Sequence, residues 1–426
     1  MELDRFIKKR ELIDLTRRLI QIPTENPPGN EKKAVLFLKP LLSKMGFRVN
    51  IHLSPKGRYN IVAERRWGKG GRRLIFNGHL DVVPAGDALR WKYPPFQGKL
   101  VKGRIYGRGA SDMKGGVASF IHAISMIDRS KVRFDRGNLI LHLVSDEESH
   151  GHQGMGFLAQ KGLIKGDAVI VGEPTGLDLV IAQKGALWLR ITSFGKSAHG
   201  SRPEQGINAI EMMMHLIDSL NAIPLVKEHS LLGKPTINIG KIQGGTKINV
   251  VPDRCEIEVD RRLLPDEKKE EVLSEIKEAI GSVQARDPLF KYQIEEIDDA
   301  EPSEINPDEE IVRIGLEAGR EVRGERPTVR GFSGFTDARF YINQFHIPTL
   351  IFGPGGTDQS HTTDESVEVE ALVQATRIYG LIVLNYLSTE VAKNNENGLW
   401  VKATKPVSST VKGLRLKDLK TNNITH

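Results

Sequence analysis

Apolar positions along the chain recur at two spacings, and their alternation sets the expected fold. Residues 10–22 carry Leu12, Ile13, Leu15, Leu19, Ile20 and Ile22 at helical steps. Pro23 and the cluster Asn26-Pro27-Pro28-Gly29-Asn30 end that helix in a loop. A second helix is expected over about 31–46, stopped by Gly46, with Pro40 expected to kink it or narrow its span. Strand-like runs follow at Arg48–Leu53, Asn60–Glu64 and Leu74–Phe76, then a helix over Met113–Ile127 and buried strands at Leu139–Val144 and Ala168–Val171. Strands alternating with helices predict an α/β domain with a central, mostly parallel sheet flanked by helices.

Near residue 185 the pattern changes. Leu187–Phe194, Thr236–Ile242, Cys255–Arg262 and Lys291–Ile297 read as strands, and Gly206–Leu220 and Asp266–Ile280 as amphipathic helices. The order β-α-β-β-α-β is that of a ferredoxin-like α+β sandwich. After Pro307 the first pattern resumes, with helices over about 308–320 and 369–387 and a strand at Thr349–Phe352. The expected organisation is a catalytic domain in two parts, 1–184 and 301–390, interrupted by an inserted domain at 185–300 and followed by a basic polar tail at 391–426.

Composition narrows the function classes. No apolar run approaches the roughly 20 residues of a membrane span, and the charged start Met1-Glu2-Leu3-Asp4-Arg5 has no apolar stretch behind it, so no signal peptide is expected. The single cysteine, Cys255, excludes an intramolecular disulfide framework and a thiolate-rich zinc site. A cytoplasmic protein is expected. Of the net charge of +7, the tail supplies +5, from seven basic and two acidic side chains, which leaves the rest near neutral. The basic character therefore reads as a solvated tail, with a docking arm as the alternative, and neither a nucleic-acid nor a membrane partner is expected.

Chemistry concentrates at Gly78-His79-Leu80-Asp81 and the paired acids Glu147-Glu148, each just after a predicted buried strand. Ligands gather beyond strand C-termini in such sheets, and Glu173 follows the strand Ala168–Val171 in the same way. Hydrolysing an amide needs an activated nucleophile, a Lewis acid and a proton donor for the leaving amine. Two divalent ions roughly 3.5–4 Å apart supply the first two. With about three N or O ligands per ion, His79, Asp112 and Glu173 suit one ion and Asp112, Glu148 and His361 the other, with Asp112 as the bridge. Glu147 is left free as a general base, and Asp81 suits the second ring nitrogen of His79. Zn2+ is the first expectation, with Co2+ or Mn2+ compatible with the same ligands. Two blander alternatives stand: Asp112 as a helix N-cap, and His150 and His152 as a different ligand pair near Glu148.

Six segments in order resemble a known family. They are Asn77–Pro84, Trp91–Phe96, Tyr106–Gly116, Asp146-Glu147-Glu148, Gly172-Glu173-Pro174-Thr175 and His361–Glu365. The family is the zinc-dependent deacylases and exopeptidases that include acetylornithine deacetylase, succinyl-diaminopimelate desuccinylase, aminoacylase and the glutamate-releasing carboxypeptidases. The likeness covers about residues 10–388; its departure is the His150/His152 pair, where mostly Gly and small residues are expected. The resemblance implies that the inserted domain forms a homodimer and closes over the site. It implies that His199 reaches the partner's site to stabilise an oxyanion, and that Asn249 and Arg262 bind the substrate carboxylate. Ser333 and Gly334 would belong to a loop closing the pocket. The implied reaction removes a small acyl group from an N-acyl amino acid. The alternative is a dipeptidase or carboxypeptidase using the same site, and a catalytically silent binding module is the reading from another class.

Overall fold

The computed structural model describes residues 2–388, so the basic tail lies outside the described residues. In chain order the elements are α1 (Lys9–Ile20), α2 (Lys32–Lys44), β1 (Arg48–Leu53), β2 (Tyr59–Trp67), β3 (Arg73–His79), β4 (Lys99–Val101), β5 (Arg104–Tyr106), α3 (Lys114–Ser130), β6 (Gly137–Val144), α4 (Met155–Gln160), β7 (Ala168–Val171) and β8 (Leu179–Gln183). They continue with β9 (Gly185–Phe194), α5 (Ala209–Asn221), β10 (Thr236–Gly244), β11 (Arg254–Leu263), α6 (Lys269–Arg286), β12 (Lys291–Ala300), β13 (Ser303–Glu304), α7 (Glu310–Arg323), β14 (Val329–Phe332), β15 (Thr349–Ile351), β16 (Ser366–Glu368) and α8 (Val369–Ser388).

The main sheet runs β1-β2-β6-β3-β7-β15-β8-β13, with β14 also on β8. Its centre is parallel: β3 pairs in parallel with β6 and β7, and β7 with β15. Successive residues of these strands point to opposite faces. Leu74, Phe76, Leu139, Leu141 and Ile170 join the core beneath α1, α2, α3, α7 and α8. Ile75, Ile140, Val144, Val169 and Val171 join a second core beneath α4 and the turn at Phe340–Gln344. That two-sided burial explains why β7 reads as an unbroken apolar run and why β6 is buried along its whole length, with His142 its one polar residue between Leu139 and Val144.

Between Gln183 and Ser303 the chain leaves this sheet and builds another, antiparallel, in the order β10-β11-β9-β12. In strand sequence this is 2-3-1-4, the ferredoxin-like arrangement expected from the pattern. Its own core lies on one face, where Leu187, Leu189, Ile191, Ile257 and Val259 meet α5 and α6. The exit and return pass side by side at Gly185, where a Cβ would stand 2.5 Å from the Ala300 carbonyl oxygen.

Some expectations shift. Helix α2 runs through Pro40 to Lys44 instead of stopping short. Pro40 and Leu36, whose carbonyl loses its helical partner, are both on the exposed side, where that carbonyl is open to solvent. The strand expected at Leu74–Phe76 extends to His79, which puts that residue at the strand's last position. Among the described residues no helix is long and apolar enough to cross a membrane.

Candidate metal centre

Five structural positions converge beyond the C-terminal ends of the central strands. His79 ends β3, Glu147 and Glu148 form a short turn after β6, and Glu173 follows β7. Asp112 immediately precedes α3 by two residues, and His361 lies in the loop after β15. Glycines permit this convergence. A Cβ on Gly116, in the first turn of α3, would stand 2.2 Å from the Gly172 carbonyl oxygen, and one on Gly78 would stand 2.7 Å from Val117. Only bare backbone there lets the helix start press against the strand ends and deliver Asp112 between His79 and Glu173.

The His79 Nε2 lies 3.0 Å from Asp112 Oδ1 and 3.8 Å from Glu173 Oε1. His361 Nε2 lies 2.9 Å from Glu148 Oε2 and 3.5 Å from Asp112 Oδ2. Two groups of three thus form, His79–Asp112–Glu173 and Asp112–Glu148–His361, each with its ligand atoms within 4.8 Å of one another. Asp112 belongs to both, through its two oxygens. Glu147 belongs to neither; its Oε2 lies 3.9 Å from His79 Nε2. Asp112 does not cap its helix: Met113 holds the N-cap position, without a side-chain bond.

The electrostatics favour cations. Four carboxylates crowd two imidazoles, of which His79 is buried and His361 is half exposed. Burial first, and then the Glu173 charge, push Glu147 well above the usual carboxylate range. Burial and then Asp112 do the same to Glu173, and to a smaller degree to Glu148. Asp112 goes the other way: burial would raise it, but the His79 hydrogen bond and both imidazoles outweigh that. Burial would lower His79, yet Asp112, Glu173 and Glu147 together hold it well above its ordinary value. The hydrogen bond to Glu148 lifts His361 to about 9. Glu148 Oε1 and Glu173 Oε1 are buried with no hydrogen-bond partner among the described residues. Hard N/O donors, mutual repulsion and orphaned buried oxygens fit divalent ions.

One placement corrects the sequence reading. The second ring nitrogen of His79 meets the backbone carbonyl of Asp81 at 2.8 Å, while the Asp81 carboxylate stands 3.8 Å away. That carboxylate instead accepts from Asn26 Nδ2 and, at 3.3 Å, from the backbone N–H groups of Glu147 and Glu148. It is oriented toward the acid turn more than toward the imidazole.

Three supports lie outside the candidate set, and of these only Glu365 falls in one of the six matching segments. Arg58 is buried between Glu31 and Asp146, with Asn26 and Asp81 alongside. Glu365 is fully buried and accepts from the N–H groups of Gly109, Ser111 and Asp112 and from Arg108. Arg108 in turn donates to the Thr362 carbonyl, so this pair joins the Asp112 loop to the His361 loop. Asp337 is a buried carboxyl pushed up to about 7 by burial, with Asn77 donating to it at 3.4 Å. Glu365→Ala is expected to cost about 3–5 kcal/mol, the range for breaking a buried ion pair, and to weaken metal retention. Denaturant midpoints and elemental analysis check this, and an unchanged midpoint would contradict it.

The remaining candidates lie apart from the six acidic and imidazole groups. His199 and Asn249 are exposed on the four-stranded unit, where Gly200 N donates to the Asn249 carbonyl. His199 Nδ1 accepts from Ser201 N at 3.1 Å, which leaves Nε2 as the N–H donor of the neutral ring. Arg262 pairs with Asp260 at 2.9 Å, its guanidinium carbon 5.8 Å from the Phe335 ring centre. Phe335 adjoins Ser333 and Gly334, so Arg262 and that loop face each other. His150 and His152 do not join the metal groups; both turn to Asp298.

This fold with this cluster defines a metal-dependent hydrolase of amide bonds. The chain belongs to peptidase family M20/M25/M40, whose pattern it matches over residues 75–385. It is 32% identical over 401 residues to an acetylornithine deacetylase of Proteus mirabilis, covering 91% of this chain and 100% of that protein. A probable succinyl-diaminopimelate desuccinylase of Staphylococcus aureus is 29% identical, with 89% of this chain and 98% of the relative covered. The fold matches an M20 family metallo-carboxypeptidase from Sulfolobus solfataricus with a TM-score of 0.76 at 20% identity, covering 88% of this chain and 99% of that one.

Proposed function

We propose that this protein is a dinuclear deacylase that removes a small acyl group from an N-acyl amino acid. The observation that carries the reading is the pair of three-residue groups sharing Asp112, with Glu147 left over beside them. His79, Asp112 and Glu173 would hold one ion, and Asp112, Glu148 and His361 the other. When bound, the ions supply Lewis acidity to the amide carbonyl and to the attacking water. Glu147 takes the proton of that water and returns it to the departing nitrogen. Arg262 offers a fork to the substrate carboxylate, with Asn249 and the Ser333-Gly334 loop beside it. Zn2+ is the ion we propose, and the single, unpaired cysteine agrees with a cytoplasmic setting. The names of the acyl-amino-acid relatives favour deacylation over peptide cleavage. Released amine from acetyl, succinyl and formyl amino acids, set beside dipeptides, tests this; turnover of dipeptides alone would reverse it.

Residues 185–300 act, in this reading, as a dimerisation and lid domain on a catalytic frame formed by 1–184 and 301–390. His199 then works in the partner's site, its Nε2–H donating to the developing oxyanion. His199→Ala is expected to lower kcat while leaving metal content unchanged. Mixing it with Glu147→Ala should restore part of the activity in hybrid dimers. Absence of any rescue would argue against a role in trans.

Metal removal should also leave a thermal signature. Carboxyls whose folded pKa is raised release protons more readily in the unfolded chain, so their contribution falls as pH rises above 4.5, the ordinary glutamate value. The raised His79 and His361 stabilise fully below 6.5 and lose that contribution as pH rises through their folded values. Asp112 opposes this, since its lowered value stabilises above the ordinary range. Bound ions reverse the main trend because they need deprotonated ligands. The drop in Tm caused by a chelator should therefore widen from pH 5 to pH 8. A drop that is constant or narrows would contradict the placement of ions here.

A further inference from the structure

The turn that carries Glu147 and Glu148 is held from two sides. From the frame, the Asp81 carboxylate accepts both glutamate N–H groups, and Arg58 donates to Asp146 at 2.8 Å. The turn closes on itself through Ser149 N and Gly151 N, both donating to the Asp146 carbonyl, and His150 N to that of Glu147. From the other side comes a residue of the four-stranded unit. Asp298, on β12, presents one oxygen to His150 Nδ1 at 3.3 Å and the other to His152 Nε2 at 3.1 Å.

This contact is built, not incidental. The pairing of β12 with β9 is irregular between Glu296 and Asp298, and such a bulge re-aims the side chain that follows it. Asp298 thereby lies opposite Trp188. The His150 ring is 5% exposed, meets Trp188 edge-on with centroids 4.5 Å apart, and leans on Phe335 at 4.9 Å. Arg339, itself buried, donates to the His150 carbonyl. A residue two positions beyond Glu148 is thus wedged between the unit and the frame.

We propose that Asp298 is a positioning residue: through His150 and His152 it sets how Glu147 and Glu148 are presented, and so couples turnover to the seating of the four-stranded unit. The proposal rests on the reading of Glu147 as the proton carrier. Displacing a reacting group by about 1 Å can cost on the order of 100-fold in rate. Asp298→Ala is expected to lower kcat by roughly 10- to 100-fold, with KM changed far less and both ions retained. His152, which is half exposed, gives a second entry. His152→Ala should reproduce part of the loss, and His152→Gln, which keeps a donor, should restore most of it. The double variant should be no worse than Asp298→Ala, because both act through one contact.

Assays of kcat and KM with elemental analysis read these outcomes. Parent-like kcat in Asp298→Ala, with Glu147→Gln inactive, overturns the coupling and leaves the role of Glu147 standing. Parent-like turnover in Glu147→Gln overturns the underlying reading instead. Metal lost in step with kcat overturns the positioning role as well. If Asp298→Ala does not fold, the His152 pair decides: equal kcat in His152→Ala and His152→Gln overturns the proposal.

Discussion

Glu147→Gln is expected to abolish turnover, by roughly 10²–10⁴-fold or more, in a protein that still binds two ions. Glu147 stands outside both three-residue groups, 3.9 Å from the nearest imidazole nitrogen, so no ion should depend on it. Glutamine keeps its volume and removes its basicity. Burial and the Glu173 charge already favour its protonated form, so the neutral replacement should not harm the fold. A group that shuttles a proton in both directions works best when its pKa lies near the operating pH, and burial moves a glutamate that way. The checks are kcat, KM and metal content on the same preparation. Near-normal kcat would remove Glu147 from the chemistry.

Asp112→Ala should act differently, on metal before turnover. Asp112 alone serves both groups, with Oδ1 toward His79 and Oδ2 toward His361. Without it each ion keeps only two protein ligands, His79 with Glu173 and Glu148 with His361, short of the usual three. Elemental analysis should find one ion or none per chain, and activity should fall accordingly. Two ions retained after dialysis would refute a shared ligand.

The convergence of the candidate ligands is legible because strand ends are legible. Leu139–Val144 and Ala168–Val171 are unmistakable buried runs, so acids directly after them are placed without knowing the full sheet. Gly115 and Gly116 flag a close approach near Asp112, although the sequence does not say that the partner is the Gly172 carbonyl. Strand β8 occupies the apolar run Leu179-Val180-Ile181-Ala182, but the change of pattern at 185 follows so closely that the run does not stand out from it. Strands β4, β5, β13 and β16 are two or three residues long, too short for any periodicity. The supporting charges are illegible for another reason: buried Arg58 and Glu31 have the same letters as surface ion pairs, and only tertiary packing distinguishes them. His150 and His152 looked like spare ligands by proximity along the chain. A left-handed backbone at His150, φ 68°, turns the chain there, and both rings meet Asp298 instead.

Diffraction from crystals grown with Zn2+, measured at the zinc absorption edge, addresses the central claim directly. Two anomalous peaks about 3.5–4 Å apart are expected, one touching His79 and Glu173, the other Glu148 and His361, with Asp112 between them and Glu147 touching neither. A single peak, or ions bound elsewhere while these side chains stay unligated, would contradict the account.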